Sequence, residues 1–143
     1  MSGATYTRIF DVSVELLYSA WTDPEHLKNW WGPLGFTNTF YEFDLQPEGK
    51  WSFTMHGPDG KDYPNESVFK TIIPNKLLVF DHLSLPQFRV EASFETKGSN
   101  TSELVWKMTF VIESVFLSIK DFIAEKNEEN LDRLAEELKK MKL

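Results

Sequence analysis

Residues 88–112 read FRVEASFETKGSNTSELVWKMTFVI, and residues 118–141 read SIKDFIAEKNEENLDRLAEELKKM. In the first stretch apolar and polar residues alternate. Phe88, Val90, Ala92 and Phe94 interleave with Arg89, Glu91, Ser93 and Glu95. Leu104, Trp106, Met108, Phe110 and Ile112 then interleave with Val105, Lys107, Thr109 and Val111. Lys97-Gly98-Ser99-Asn100 lies between them as a hairpin turn. A period of two with one apolar side predicts antiparallel strands covered on one face. In the second stretch the period changes. Ile119, Phe122, Ile123, Leu131, Leu134, Leu138 and Met141 fall at helical spacing. Ser118 and Asp121 suggest a capping box, and Lys139, Lys140 and Lys142 suit the negative end of the helix dipole. A helix from about Ser118 would be roughly 35 Å long at ~1.5 Å per residue, enough to cross a sheet.

The same reading extends toward the N-terminus. Thr5–Asp11 predicts a short strand with Tyr6, Arg8 and Phe10 on one face. Ser13 is an N-cap for a helix bearing Val14, Leu17, Tyr18 and Trp21. Asp23-Pro24-Glu25 starts a second short helix carrying Leu27, Trp30 and Trp31, which Gly32-Pro33 ends. Further strands follow at Phe40–Leu45, Trp51–His56, Ser67–Ile73 and Leu77–His82, with turns at Gly57–Gly60 and Pro74-Asn75. No repeat, low-complexity tract or linker divides the 143 residues, so one domain spanning 1–143 is expected. A run of strands with segregated helices indicates an α+β fold with an antiparallel sheet.

Composition narrows the function. Net charge is −7, which disfavours a phosphate backbone and hence nucleic acid. There is no cysteine, so disulfides, thiolate nucleophiles and Cys-type zinc sites are excluded. Met1 to Arg8 is polar without an apolar signal region, and no apolar run approaches ~20 residues. The expectation is a cytoplasmic protein without membrane insertion, monomeric or homodimeric. Aromatic residues make up 15%, which suits a bulky core or an aromatic pocket.

Several strings resemble the START-like (helix-grip) superfamily, and more narrowly its branch named after the activator of the heat-shock-protein-90 ATPase. They are Arg8-Ile9-Phe10, Leu17, Ala20-Trp21-Thr22-Asp23 and Trp30-Trp31-Gly32-Pro33. Asp44, Gly49, Trp51, Ile73-Pro74, Leu77-Leu78, Ser102–Leu104, Leu131 and Leu134 continue the match. The resemblance covers about residues 6 to 138. It implies a curved antiparallel sheet gripping the long C-terminal helix, with a cavity between them. In the wider superfamily that cavity binds lipids, sterols or polyketides; some members are cyclases or hydrolases. The chaperone-activator domain itself acts by protein contact. Two departures are informative. A glycine pair before the strand tryptophan is replaced by Glu48-Gly49, followed by Lys50-Trp51. A Gly-Trp pair in the last helix is replaced by Lys126-Asn127. Asn127 and Asn130 then lie within the apolar stripe, where a buried amide needs a partner. That partner is a ligand, water or a sheet side chain, unless the helix tilts both into solvent.

Catalytic groups are sparse. His26 and His56 are expected at the surface, and His82 at an inward strand end. Glu42 and Asp44 share a strand face with Phe40, but a salt bridge to Arg8 is the simpler role. Arg89 is expected in solvent. No nucleophile elbow, phosphate loop, metal-ligand spacing or cofactor motif is present. The richer constellation is apolar. Phe53, Phe69, Phe80, His82, Phe88, Val90, Trp106, Met108 and Phe110 face Ile123, Asn127, Asn130, Leu131 and Leu134, with Tyr63 as a further polar group. These residues either line a ligand cavity or simply pack on one another. Three functions remain open. The first is binding of a small apolar or amphipathic molecule. The second is a co-chaperone-like (stress-response) or other protein-interaction domain, with Trp30-Trp31 as the exposed patch. The third is hydrolase or cyclase chemistry, which would need a carboxylate or histidine inside the pocket.

Overall fold

The computed structural model describes residues 2–142. Ten elements follow in order: β1 Ser2–Phe10, α1 Val14–Thr22, α2 Pro24–Trp30, β2 Thr37–Phe43 and β3 Lys50–His56. They continue with β4 Asp62–Ile73, β5 Leu77–His82, β6 Phe88–Gly98, β7 Thr101–Phe110 and α3 Glu113–Met141. The strands form one antiparallel sheet in the order β1-β7-β6-β5-β4-β3-β2. The chain's first strand thus closes onto its last, and β1 and β2 are the two edges.

The alternation of the sequence becomes the two faces of this sheet. Val90, Ala92, Leu104 and Trp106 are buried on the inner face, while Arg89 and Lys107 stay exposed on the outer one. The starts of the two short helices follow local chemistry. The Ser13 hydroxyl accepts from the Leu16 N–H at 3.2 Å and opens α1. The Asp23 carboxylate accepts from the Glu25 N–H at 3.0 Å and opens α2, with Pro24 in the first turn. Gly32, at φ +98°, turns the chain out of α2 where a side chain would be strained.

Three expectations are corrected. α3 begins at Glu113, not Ser118, and spans 29 residues. The Ser118 hydroxyl donates to the Val115 carbonyl within the helix instead of capping it. Arg8 does not pair with Asp44, because β1 and β2 lie at opposite edges. It reaches up to α3, donating to Glu128 at 2.7 Å and Asp132 at 2.8 Å. Glu42 does not share a face with Phe40. A bulge after Phe40 reverses the alternation, so Glu42 is exposed and Phe43 turns inward. Phe43 stacks on Phe40 with ring centroids 6.0 Å apart.

The core is aromatic. All five tryptophans of the sequence are buried. Trp31 stacks on Trp106 at 5.5 Å and meets Trp51 edge-on at 5.3 Å, joining the α2 corner to both halves of the sheet. Burying a ring of this size removes on the order of 200 Å² from water, worth up to ~5 kcal/mol at 25 cal/mol per Å². The expectation that Trp30 and Trp31 form an exposed patch therefore fails. Trp31 is 8% exposed, and Trp30 also donates its indole N–H to the Ala20 carbonyl at 2.9 Å.

Candidate functional site

Inner-face residues from five strands converge with the middle of α3. Phe53 and Phe69 come from β3 and β4, Phe80 and His82 from β5, Phe88 and Val90 from β6, and Trp106, Met108 and Phe110 from β7. Cross-strand pairing sets them side by side: Phe69 with Phe80, Phe80 with Val90, Val90 with Met108, and Phe88 with Phe110. Most are fully buried; Phe88 and, on α3, Ile123 are half-buried. Leu131 and Leu134 press down from α3 as part of the same core. Trp51 stacks against Phe53 with centroids 4.5 Å apart and meets Phe80 edge-on at 5.2 Å.

The polar groups fall into two sets. One set is spent on structure. Asn130 donates to the Trp30 carbonyl at 2.6 Å and accepts the Gly32 N–H at 3.2 Å, so its amide holds the end of α2. One turn on, Arg133 donates to the carbonyls of Asn29, Trp31, Gly32, Pro33 and Phe36. Glu137, 5% exposed, receives N–H groups from His26 at 2.9 Å and Asn29 at 3.1 Å. His26 is therefore half of a docking contact between α2 and α3, not the surface residue expected.

His82 is buried, stacked on Phe88 at 4.5 Å. Its Nδ1 lies 3.0 Å from the Pro86 carbonyl oxygen and its Nε2 against the side-chain oxygen of Asn65, so each ring nitrogen faces an acceptor and the ring donates to one of them in either neutral tautomer. Burial pushes its pKa below the ordinary value, against the opposing pull of the backbone of Pro86 and Ser84. His56 is partly exposed, between Asp62 and Thr39, each at 2.7 Å. Tyr63, 42% exposed, lies beside Phe36 at the rim.

The second set has no partner within the chain. Among the described residues, Tyr6 Oη, Trp21 Nε1, Asn38 Oδ1, Trp51 Nε1, Ser67 Oγ, Ser102 Oγ, Trp106 Nε1 and Asn127 Nδ2 are buried and meet no hydrogen-bond partner. Four of them fall in cross-strand pairs. Tyr6 and Trp106 stand opposite each other on β1 and β7, and Trp51 and Ser67 do so on β3 and β4. Asn127, 7% exposed, precedes the Glu128 that binds Arg8 two residues along β1 from Tyr6. Both asparagines thus face inward, but only Asn127 keeps a free donor. The sequence signal for Asn127 was its polarity within an apolar stripe. Tyr6 and Ser67 gave none beyond strand alternation.

The outer face offers a contrast. An open groove of about 780 Å³ runs over it, bordered by Thr5, Arg89, Lys107 and Thr109. Its charges already satisfy each other: Arg89 holds Asp81 through two bonds of 2.7 and 3.0 Å, and Lys107 sits 3.8 Å from Glu91. No helix among the described residues is long and apolar enough to cross a membrane.

A curved seven-stranded antiparallel sheet packed on a long C-terminal helix, with two short helices after the first strand, defines the helix-grip class. Residues 11–139 match the family described as activator of Hsp90 ATPase homolog 1-like protein, and the chain belongs to that family. Solved structures agree in fold. A solution structure of a protein from Arthrobacter aurescens superposes with TM-score 0.89 at 23% identity, covering 96% of this chain and 86% of that one. A crystal structure of a Nitrosomonas europaea protein gives 0.88 at 20% identity, covering 98% and 96%. The AHSA1 protein of Silicibacter pomeroyi gives 0.79 at 21% identity, covering 96% and 97%. No curated protein matches at a significant level.

Proposed function

We propose that this protein binds a small hydrophobic or amphipathic molecule between the sheet and α3, with no chemistry of its own. The observation that carries this reading is the group of unpartnered polar atoms inside an aromatic interior. Each such atom costs about 1–3 kcal/mol while unsatisfied. Native interiors keep few of them, and each calls for an explanation. A ligand supplies one, with the aromatic walls giving affinity and the polar atoms giving orientation. On this reading the lining is Phe53, Phe69, Phe80, His82, Phe88, Val90, Trp106, Met108, Phe110, Ile123, Asn127, Leu131 and Leu134. Asn130 leaves the set proposed from sequence, because its amide is occupied by α2. Chemistry at His82 is disfavoured because both its ring nitrogens are engaged.

One observation supports a second reading, protein contact. Ile112, Leu117 and Phe122, at the start and along the first half of α3, are more than half exposed, with Phe122 at 61%. This surface replaces the buried Trp30-Trp31 corner as the apolar patch a partner would use.

Native mass spectrometry of protein purified from its host separates the two. A bound small molecule released on denaturation is the expected result. A clean mass for the chain alone, with no thermal shift across a panel of apolar compounds, overturns pocket binding and favours protein contact.

A further inference from the structure

The outer face of the sheet carries a relay of three side chains that takes no part in the interior. We propose that Thr39, His56 and Asp62 form a second site, which cleaves small uncharged esters with the Thr39 hydroxyl as nucleophile. The site stands on the opposite face of the sheet from the interior pocket, to which no chemistry is assigned, and does not depend on it.

Strand pairing brings the three together. Asp62 on β4 stands directly opposite His56 on β3, and Thr39 on β2 lies two residues beyond Thr37, the partner of His56 on that strand. Alternation puts all three on the outer face, away from Phe40 and Phe53. The Asp62 carboxylate lies 2.7 Å from His56 Nδ1, and His56 Nε2 lies 2.7 Å from the Thr39 hydroxyl. A carboxylate only accepts, so the neutral ring carries its proton on Nδ1 and leaves Nε2 bare. The bare nitrogen then accepts from the Thr39 O–H, which is the arrangement a general base needs. The other two histidines lack it. His26 faces a carboxylate at each ring nitrogen, and His82 an amide or carbonyl oxygen at each.

Two features beside the relay suit it to acyl transfer. A groove of about 440 Å³ runs between α2 and the edge of β2, bordered by Lys28, Thr39, Phe40 and Tyr41. The Gly57 N–H bonds to Lys61 and the Asp44 N–H to Lys50, which fixes the alternation of the ladder. By that alternation the Thr39 backbone faces β3 and the Phe40 N–H points away from it, toward the groove. The N–H of the residue after a nucleophile is well placed to donate to an oxyanion. Charge sets the substrate class. Glu25 and Glu42 also border the groove, and Lys28 is held by Glu25 at 3.1 Å, so an anionic substrate is repelled.

In the first step Thr39 Oγ bonds to the carbonyl carbon of the ester while its proton passes to His56 Nε2. The bond from that carbon to the leaving oxygen breaks, and the alcohol departs with the proton. Water then gives a proton to the same nitrogen and attacks the acyl group on Thr39. The carboxylic acid is released and the hydroxyl restored. Asp62 is a positioning residue that holds the ring and its tautomer.

Hydrolysis of p-nitrophenyl acetate by the whole protein tests the proposal, with the acyl group located by mass spectrometry of acid-quenched peptides. Turnover above the buffer rate is expected, with an acetyl group on Thr39. All three side chains are exposed or half-exposed, so their variants keep the fold. Thr39→Val and His56→Gln should each lower the rate about a hundredfold, the lower end of what a positioned general base contributes. Thr39→Ser should retain it. Asp62→Asn should lower kcat and leave KM unchanged, because an amide can donate to Nδ1 and turn the ring's proton toward Thr39. Asp62→Glu should recover part of the loss. An analogue with a carboxylate on the nitrophenyl ring should react more slowly relative to its own buffer rate. No turnover above buffer, or a rate that none of the variants alters, overturns the proposal. A rate lost in His56→Gln but kept in Thr39→Val places the attack on the imidazole and overturns Thr39 as nucleophile. Preference for the anionic analogue overturns the substrate class. Each of these outcomes leaves binding in the interior untouched.

Discussion

His82 shows what a single buried residue imposes. Its proton affinity is lowered on folding by burial, so the unfolded chain takes up a proton before the folded one does. The sign follows directly. Stability is complete above the unfolded pKa of 6.5 and is lost as pH falls below it toward the lower folded value. Urea unfolding at pH 8 and pH 5 should therefore show a lower midpoint at pH 5. In His82→Gln the difference between the two should shrink. Asp81 adds a loss at lower pH, since its bonds to Arg89 hold its carboxyl below the ordinary value. His82 was legible as an inward strand-end residue because Leu78 and Phe80 alternate with it. Asn65 and Pro86, which engage its ring, were not, since they come from a neighbouring strand and a loop.

At the scale of elements, α3 has two unequal halves. From Asn127 onward it is fastened to α2 by Asn130, Arg133 and Glu137. Before Asn127 it rests on half-buried Ile119 and Ile123 and on Phe116. Amide hydrogen exchange should follow this division, with Val115–Lys126 exchanging faster than Asn127–Leu138. Uniform protection along the helix would contradict it. Arg133 is the fastening that matters most. Arg133→Leu leaves a group of carbonyls without their charged donor and should cost on the order of 3 kcal/mol, read as a lower denaturation midpoint. Arg133→Lys should recover only part of that, because an ammonium cannot span the fork of the guanidinium. None of this could be read from the sequence. A charged residue in a helix reads as solvated, and its partners are backbone atoms about 100 residues away. The early start of α3 was hidden differently: Phe110–Ile112 continues the strand's apolar character into the helix, and Ile112 makes no side-chain cap. The bulge after Phe40 was invisible because it is a break in the very alternation used to find strands.

For the whole molecule, the order of elements and the inward set of strand residues were legible because each depends on local periodicity. The pairing of β1 with β7 was not legible, since contacts spanning about 100 residues leave no local pattern. What periodicity could not give is which inward side chains find partners. Tyr6, Trp106 and Ser67 sit in the same alternation as residues that pack without consequence, and only the assembled sheet shows their polar atoms facing nothing. The Trp30-Trp31 corner went the opposite way. Two adjacent tryptophans at the end of a short helix look like surface until the sheet curls far enough to receive them.

The contact between these rings has an optical meaning. Trp21, Trp30, Trp31 and Trp106 lie within 4.9 to 6.3 Å of one another, centre to centre, and Trp31 carries the chain of contacts on to Trp51. Chromophores this close share excitation and acquire a chirality that belongs to their arrangement instead of to any one of them. A guest that shifts a single indole by a fraction of an ångström alters the spectrum of all five. The protein therefore carries its own label, and its near-ultraviolet dichroism reads out the state of its interior without any added dye.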